Sequence, residues 1–346
     1  MRSNLKKLSF LLIIGGNLTL ISNEALGKKV LLYAETPLGS YEDRGTPFVK
    51  SLPKECFLSE LPVKDQGPVG TCTSFTVSGC YKQSNLGWRK EISEAEFTIL
   101  AETHIDDCHA GLNLGNALRF AQQMGFLEEP RLPYSRFVEY VAQQNGIRPY
   151  QYGWEDKLKA LSAVSAISVC MKDDDATRAY NTTMRTIGAS CGLNGTYEND
   201  VSPFRIGQLY PLHHVSRKSL RKAEFLSLSR STKPLKQKRG SIGIPANANI
   251  DKVKHALAAG YSIAAAADVF DNCWMPPKES NHQVRLPRMG DRLQASHAFM
   301  ITGYDDIQAC FRIKNSWGIG WGDNGYAWLP YEYVRKYATE LIAVGK

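Results

Sequence analysis

The sequence predicts an α+β protein of two lobes, a helical lobe followed by a mainly β lobe. Three observations carry this. At 346 residues the chain exceeds one average domain and is long enough to divide around a cleft. Helix signals with caps recur between residues 71 and 125, whereas beyond Gly260 the apolar residues fall in short or alternating runs bounded by Gly, Asp and Asn.

Taken in order, residues 1–27 read as a secretory signal. Arg2, Lys6 and Lys7 precede an apolar run over residues 8–21, and the small residues Ala25 and Gly27 suit a cleavage site. Gly15, Gly16 and Asn17 interrupt that run, so no transmembrane span and no anchor after cleavage is expected. Residues 28–61, with Pro37, Pro47 and Pro53 and little periodicity, read as a leader or extended arm. The main domain follows over residues 62–346. From Thr71 the pattern is helical, with Phe75 and Val77 leading to Tyr81. A second helix starts at Ser93, a good cap with Glu96 three residues on, and "GNALRFAQQMG" forms a third, closed by Gly125. Residues 135–240, with "KDDDATR" and "GLNGTYENDVSP", are long and mixed and read as an insertion. "YSIAAAADVF", "SHAFMITGYDD", "ACFRIKN" and "GYAWLP" then read as strands.

Charge and cysteine content narrow the function. The formal net charge of +8 is concentrated between His213 and Gly240, where nine Lys and Arg residues accompany the single Glu224. The block lacks the interleaved aromatics of a nucleic-acid platform, so an exposed loop is expected and nucleic acid is not a predicted partner. Export implies an oxidising compartment, secreted or periplasmic, in which eight cysteines ordinarily make four bridges. If one thiol is reserved for chemistry, at most three bridges form and another thiol is left over. No spacing repeats the paired C-x-x-C of a zinc site, and no metal or other cofactor is expected.

One of those cysteines lies in "KDQGPVGTCTSF", where Gly67, Pro68 and Gly70 bend the chain just before a helix. Cys72 there is half of a disulfide, a core thiol or a nucleophile. A helix N-terminus favours the third, because its amides and positive dipole end stabilise a thiolate, and a nearby imidazole completes the activation. His297 heads a strand in "SHAFMITGYDD"; Asn315 ends the next in "IKNSWGIGWGDNGY" and is followed by Trp317. An amide fixes the tautomer and aim of an imidazole, and an indole beside it shields that bond from water.

Gln66, Gly67, Gly70, Cys72 and Phe75, then Ser296, His297 and Ala298 with Gly303 and Tyr304, then Lys314 to Gly318 with Gly320, Trp321, Gly322, Gly325 and Tyr326, resemble the papain-like cysteine peptidases. The resemblance covers residues 62–133 and 250–346. It implies a papain-like two-lobed fold, a helical lobe and a barrel-like sheet lobe with the active-site cleft between them. It implies Cys72 as nucleophile, His297 as general base and acid, Asn315 as its orienting residue, and Gln66 as an oxyanion donor beside the Cys72 amide. "DDCHAGLNLGNAL" is similar to the family's Gly-Gly segment, which would place Ala110 and Gly111 against substrate together with Ser296 and Trp317. Trp317 and Trp321 also read as core aromatics, and for Trp321 that is the preferred reading. In cathepsin B-like members an inserted loop with adjacent histidines holds a substrate's terminal carboxylate, a role here for His213 and His214; the expectation is instead internal cleavage by a monomer of peptide or protein substrates.

The departures from the family pattern are specific. Val69-Gly70-Thr71-Cys72-Thr73 stands where the family has Cys-Gly-Ser-Cys-Trp, so the disulfide beside the nucleophile is absent and Thr73 leaves space where an indole would pack. From Cys72 to His297 is 225 residues, against roughly 130 to 150 expected, hence the insertion. Residues 28–61 are too few for a long helical propeptide. Two other readings accompany hydrolysis: transpeptidation or deamidation on the same acyl-enzyme, and a catalytically weak protein that uses the cleft as a binding groove.

Overall fold

The computed structural model describes residues 9–14, 17–22, 49–86, 91–104, 112–126, 133–144, 209–214 and 250–345. Within the segment read as a signal, β1 (Ser9–Ile14) and β2 (Asn17–Ser22) pair antiparallel, with Ile14 opposite Asn17. Among the described residues no helix is long and apolar enough to cross a membrane.

The helical lobe is built from α1 (Cys72–Ser84), α2 (Glu94–His104), α3 (Leu114–Met124) and α4 (Tyr134–Gln144). The caps expected at Ser93 and Gly125 are present, and Asn113 supplies a further one. The Glu96 amide donates to Ser93 Oγ at 3.1 Å, the Asn116 amide donates to Asn113 Oδ1 at 3.0 Å, and Gly125 ends α3 at φ +80°, a conformation glycine adopts without steric cost. Phe97 packs on Phe126 at 5.1 Å between ring centres, and Phe137, Val138 and Val141 of α4 join the same core. Helix α4 therefore belongs to this lobe, although all its residues but Tyr134 lie in the stretch expected to be insertion.

The sheet lobe contains β3 (Glu55–Phe57), β4 (Leu209–His214), β5 (Ser262–Phe270), β6 (Leu293–Asp305), β7 (Cys310–Lys314), β8 (Tyr326–Pro330) and β9 (Ala338–Val344). Its order is β4-β9-β5-β6-β7-β8, antiparallel throughout, with β3 paired to the end of β6. Among the described residues it is an open seven-stranded sheet, not a closed barrel. β4 also falls inside the expected insertion, yet it forms the edge of this sheet. The strands β5 and β6 read as apolar because they are buried on both faces. Ala264, Ala266, Ala298 and Met300 enter the helical-lobe core, while Ile263, Ala265, Phe299 and Ile301 face a second core under α5 (Ile250–Ala258) and α6 (Tyr331–Tyr337).

The two lobes meet where α1 crosses β6. A Cβ on Gly79 would lie 2.4 Å from Met300 Sδ, so any side chain there would have to displace the Met300 thioether. From that point Cys72 is about two turns back along the helix and His297 three residues back along the strand, each on the order of 10 Å. The crossing thus fixes the helix start and the imidazole relative to one another.

Candidate active site

Cys72 is the first residue of α1, half-buried and packed against the helical-lobe core. Thr71, the cap residue, makes no side-chain bond to the helix amides. Its hydroxyl meets the Tyr134 phenol, which also donates to the carbonyl of Gln66 at 2.9 Å. The positive end of α1 is therefore left to the Cys72 sulfur rather than to a cap oxygen. Tyr134 packs edge-on to Phe75 at 4.7 Å, and burial pushes its phenol well above the ordinary range, so it stays a donor. The helical pattern gave no hint of this phenol's role, since the bonds reach 63 and 68 residues along the chain.

Gln66 is fully buried and both ends of its amide are engaged. Nε2 donates to the Val69 carbonyl at 2.7 Å, and Oε1 accepts from Ser316 Oγ at 2.6 Å. The Gln66 backbone amide donates to the Ser316 carbonyl at 2.8 Å, the Gly318 amide donates to the Lys64 carbonyl at 3.2 Å, and Asp65 bridges to Trp317. These bonds dock the loop before Cys72 onto the loop after Asn315. A Cβ on Gly318, at φ +76°, would lie 2.9 Å from Asp65 Oδ2, so the seam is closed too tightly for a side chain.

On the other side, His297 is only 3% exposed and its Nε2 lies 2.7 Å from Asn315 Oδ1. The same Oδ1 accepts the Ser316 amide at 2.7 Å, which identifies it as an acceptor; the proton of that bond belongs to His297 Nε2, leaving Nδ1 as the basic nitrogen. Trp317 lies over the ring at 4.7 Å and is itself buried. Lys314, just before Asn315, has its amine pulled down to about 8 by burial, against the pull of the Glu94 carboxylate.

Thr73 does not leave the space expected of it. It is buried, and its hydroxyl donates to the Leu112 carbonyl at 2.9 Å, tying α1 to the residue after Gly111. Ala110 and Gly111 lie outside the described residues. The next residues are anchored from the sheet lobe: Glu340 on β9 accepts from Asn113 Nδ2 at 2.8 Å and from the Gly115 amide at 2.9 Å, a carboxylate at the start of α3. Ser296 stands on β6 opposite Asp268, one residue before His297. His213 and His214 are on strand β4, opposite Leu341 and Glu340, and not on a loop.

Cys56, Cys80, Cys273 and Cys310 are free thiols, so the bridges expected of the sequence do not form among them; Cys108, Cys170 and Cys191 lie outside the described residues. Burial raises the Cys56 thiol, pushes Cys80 and Cys273 up to about 12, and takes Cys310 to about 11. All four are held protonated at neutral pH, and Cys72 alone among the described cysteines sits at a helix start.

Comparison with known proteins agrees with this architecture. Residues 208–341 match the sequence model of the papain family cysteine proteases. An uncharacterized peptidase C1-like protein of Acanthamoeba polyphaga mimivirus is 33% identical over 85 residues, which is 25% of this chain and 27% of that protein, so the match spans about a quarter of the relative's length. Xylellain, a cysteine protease from Xylella fastidiosa, superposes with a TM-score of 0.53 at 18% identity, covering 86% of this chain and 90% of its own. The chain is thus similar in fold to a solved cysteine protease, and its residues 208–341 are similar in sequence to the papain family cysteine proteases.

Proposed function

We propose that the protein is a cysteine peptidase that hydrolyses internal peptide bonds through a thioester on Cys72. The observation that carries this reading is the His297–Asn315 bond of 2.7 Å, which leaves Nδ1 as the basic nitrogen of a buried ring on the strand that α1 crosses. In the resting ion pair the Cys72 proton resides on His297. The thiolate attacks the scissile carbonyl carbon and the carbonyl electrons move onto oxygen. That oxygen is received by the Cys72 amide and by the second N–H of Gln66 Nε2, the first being held by Val69. Collapse expels the amine, which takes its proton from His297, and leaves the thioester. Water then gives a proton to His297 and attacks the thioester, and the thiolate leaves. Trp317 keeps water from the Asn315 bond throughout.

Gln66→Ala is expected to lower kcat by about 10² to 10³, the effect of losing one oxyanion donor. It also strips Ser316 Oγ of its Gln66 partner, while Val69 O keeps the Thr71 amide at 2.8 Å, so it should cost stability as well, about 1 to 3 kcal/mol for the buried hydroxyl left unpaired. Steady-state kinetics beside thermal unfolding separate the two effects; a change confined to KM counts against the oxyanion role.

Substrates are peptides or proteins entered along the cleft. The placement of His213 and His214 on a paired strand favours internal cleavage over removal of C-terminal dipeptides. Amidated and free-acid peptides should therefore be cut alike, and the double variant His213→Ala, His214→Ala should behave as wild type. Trimming that depends on a free carboxylate and on both histidines would reverse this assignment. On the same reading the chain is exported and residues 1–27 are removed. Digestion of a peptide library, with the cut sites read by mass spectrometry, tests the proposed activity; intact peptides would refute it.

A further inference from the structure

The His297 ring is contacted by a second tryptophan that the motifs do not contain. Trp274, from the connection between β5 and β6, is fully buried and meets the imidazole at 5.8 Å with the ring planes 87° apart. It also packs on Trp317 at 6.1 Å and on Phe299 at 5.2 Å, the other two rings against His297. An indole has one polar atom, and this one is bonded: Trp274 Nε1 donates to Tyr333 Oη at 2.7 Å. The Tyr333 hydroxyl in turn donates to the Asp268 carbonyl of β5 at 2.7 Å. The chain of bonds thus runs from helix α6 to a ring that touches the imidazole, and both Trp274 and Tyr333 are fully buried.

We infer that Trp274, locked by Tyr333, is a positioning residue for His297, holding the imidazole against Asn315 and excluding water from that bond. The inference rests on the proposed role of His297 as the proton carrier. Three physical facts support it. A buried indole N–H must keep a partner, so its direction is set by where the Tyr333 oxygen sits. The Trp274 carbonyl is also fixed, accepting from Trp321 Nε1 at 2.8 Å, so neither the backbone nor the ring is free to turn. Burial raises the Tyr333 phenol well above its ordinary range, so the donor to Asp268 is not lost at any working pH. The groups whose charge bears on this phenol are Cys273, Asp268 and Tyr337, and none of them is altered when Tyr333 becomes Phe.

Tyr333→Phe removes one oxygen and no charge. It leaves the Trp274 N–H unsatisfied, and the ring must turn or admit water to regain a partner. The test is the His297 Nε2 proton, followed by nitrogen-labelled NMR together with turnover. In the wild type this proton should exchange slowly with water. In Tyr333→Phe its exchange should quicken by about tenfold or more, with kcat down by about 5- to 20-fold and KM within about twofold. The double variant Trp274→Phe, Tyr333→Phe removes donor and acceptor together and should exchange more slowly than Tyr333→Phe alone. Exchange and kcat unchanged in a folded Tyr333→Phe would overturn the inference. Should that variant not fold, Trp274→Phe is read in the same way. The outcome is independent of the proposed chemistry, because proton exchange reports on the ring even in a protein that cleaves no peptide; a wild type without turnover refutes the peptidase reading and leaves the exchange result standing.

Discussion

Cys72→Ala is expected to abolish peptide hydrolysis, with a loss in kcat on the order of 10⁶, as when the nucleophile of a cooperating triad is removed. No neighbouring group can substitute. The described thiols other than Cys72 are pushed up by burial and are remote in role, and Thr71 and Thr73 have hydroxyls already bonded to Tyr134 and to the Leu112 carbonyl. The fold should survive, because the side chain is half-buried and α1 is held by Gly79 against Met300 and by Phe75 against Tyr134. Thermal unfolding close to wild type, with no turnover, is the expected pair of results. Hydrolysis within a few-fold of wild type would remove Cys72 from the mechanism.

The second large effect is an ordered pair. His297→Ala removes the proposed proton carrier and should cost kcat at least about 10⁴, since on this proposal both the thiolate and the leaving group depend on it. Asn315→Ala should cost less, between about 10 and 10³, because the ring remains and Trp317, Trp274 and Phe299 still enclose it. The Asn315 loss should also have a distinct form. Without Oδ1 to accept the Nε2 proton, either tautomer is allowed and the basic nitrogen no longer always faces Cys72, so the loss should fall on kcat while KM stays nearly constant. The reverse order of severity would mean that the imidazole and the amide have been given each other's roles.

The parts of this site that were legible in the sequence are those encoded over a few residues. Ser93 with Glu96 and Gly125 mark helix ends by local signals, and the helices lie where those residues predict. The strands β5 to β8 follow from apolar runs between Gly, Asp and Asn. β9 carries no such signal because all seven of its residues are buried, which erases the alternation that marks a half-exposed strand. Helix α4 and strand β4 are not announced locally, because their reason to form is packing against elements far along the chain.

The same division holds within the site. Cys72, His297 and Asn315 stood out through their flanking motifs. Tyr134, Ser316 and Trp274 act through bonds and ring contacts spanning 63 residues for Thr71 with Tyr134, 250 for Ser316 with Gln66 and 59 for Trp274 with Tyr333, and no local pattern announces such partners. Thr73 shows the converse error. Measured against an indole it looked like a vacancy, but a hydroxyl in the first turn of α1 reaches the Leu112 carbonyl and fills a structural role of its own.

The central claim, a nucleophilic thiolate at Cys72 paired with His297, is tested most directly by labelling the protein with a thiol-directed epoxide and mapping the adduct by mass spectrometry. The result predicted is one label per chain, on Cys72, formed at mildly acid as well as neutral pH, absent in Cys72→Ala and slowed at least about tenfold in His297→Ala. Labelling elsewhere, or labelling of Cys72 that is indifferent to His297 and rises only near the pKa of an ordinary thiol, would contradict it.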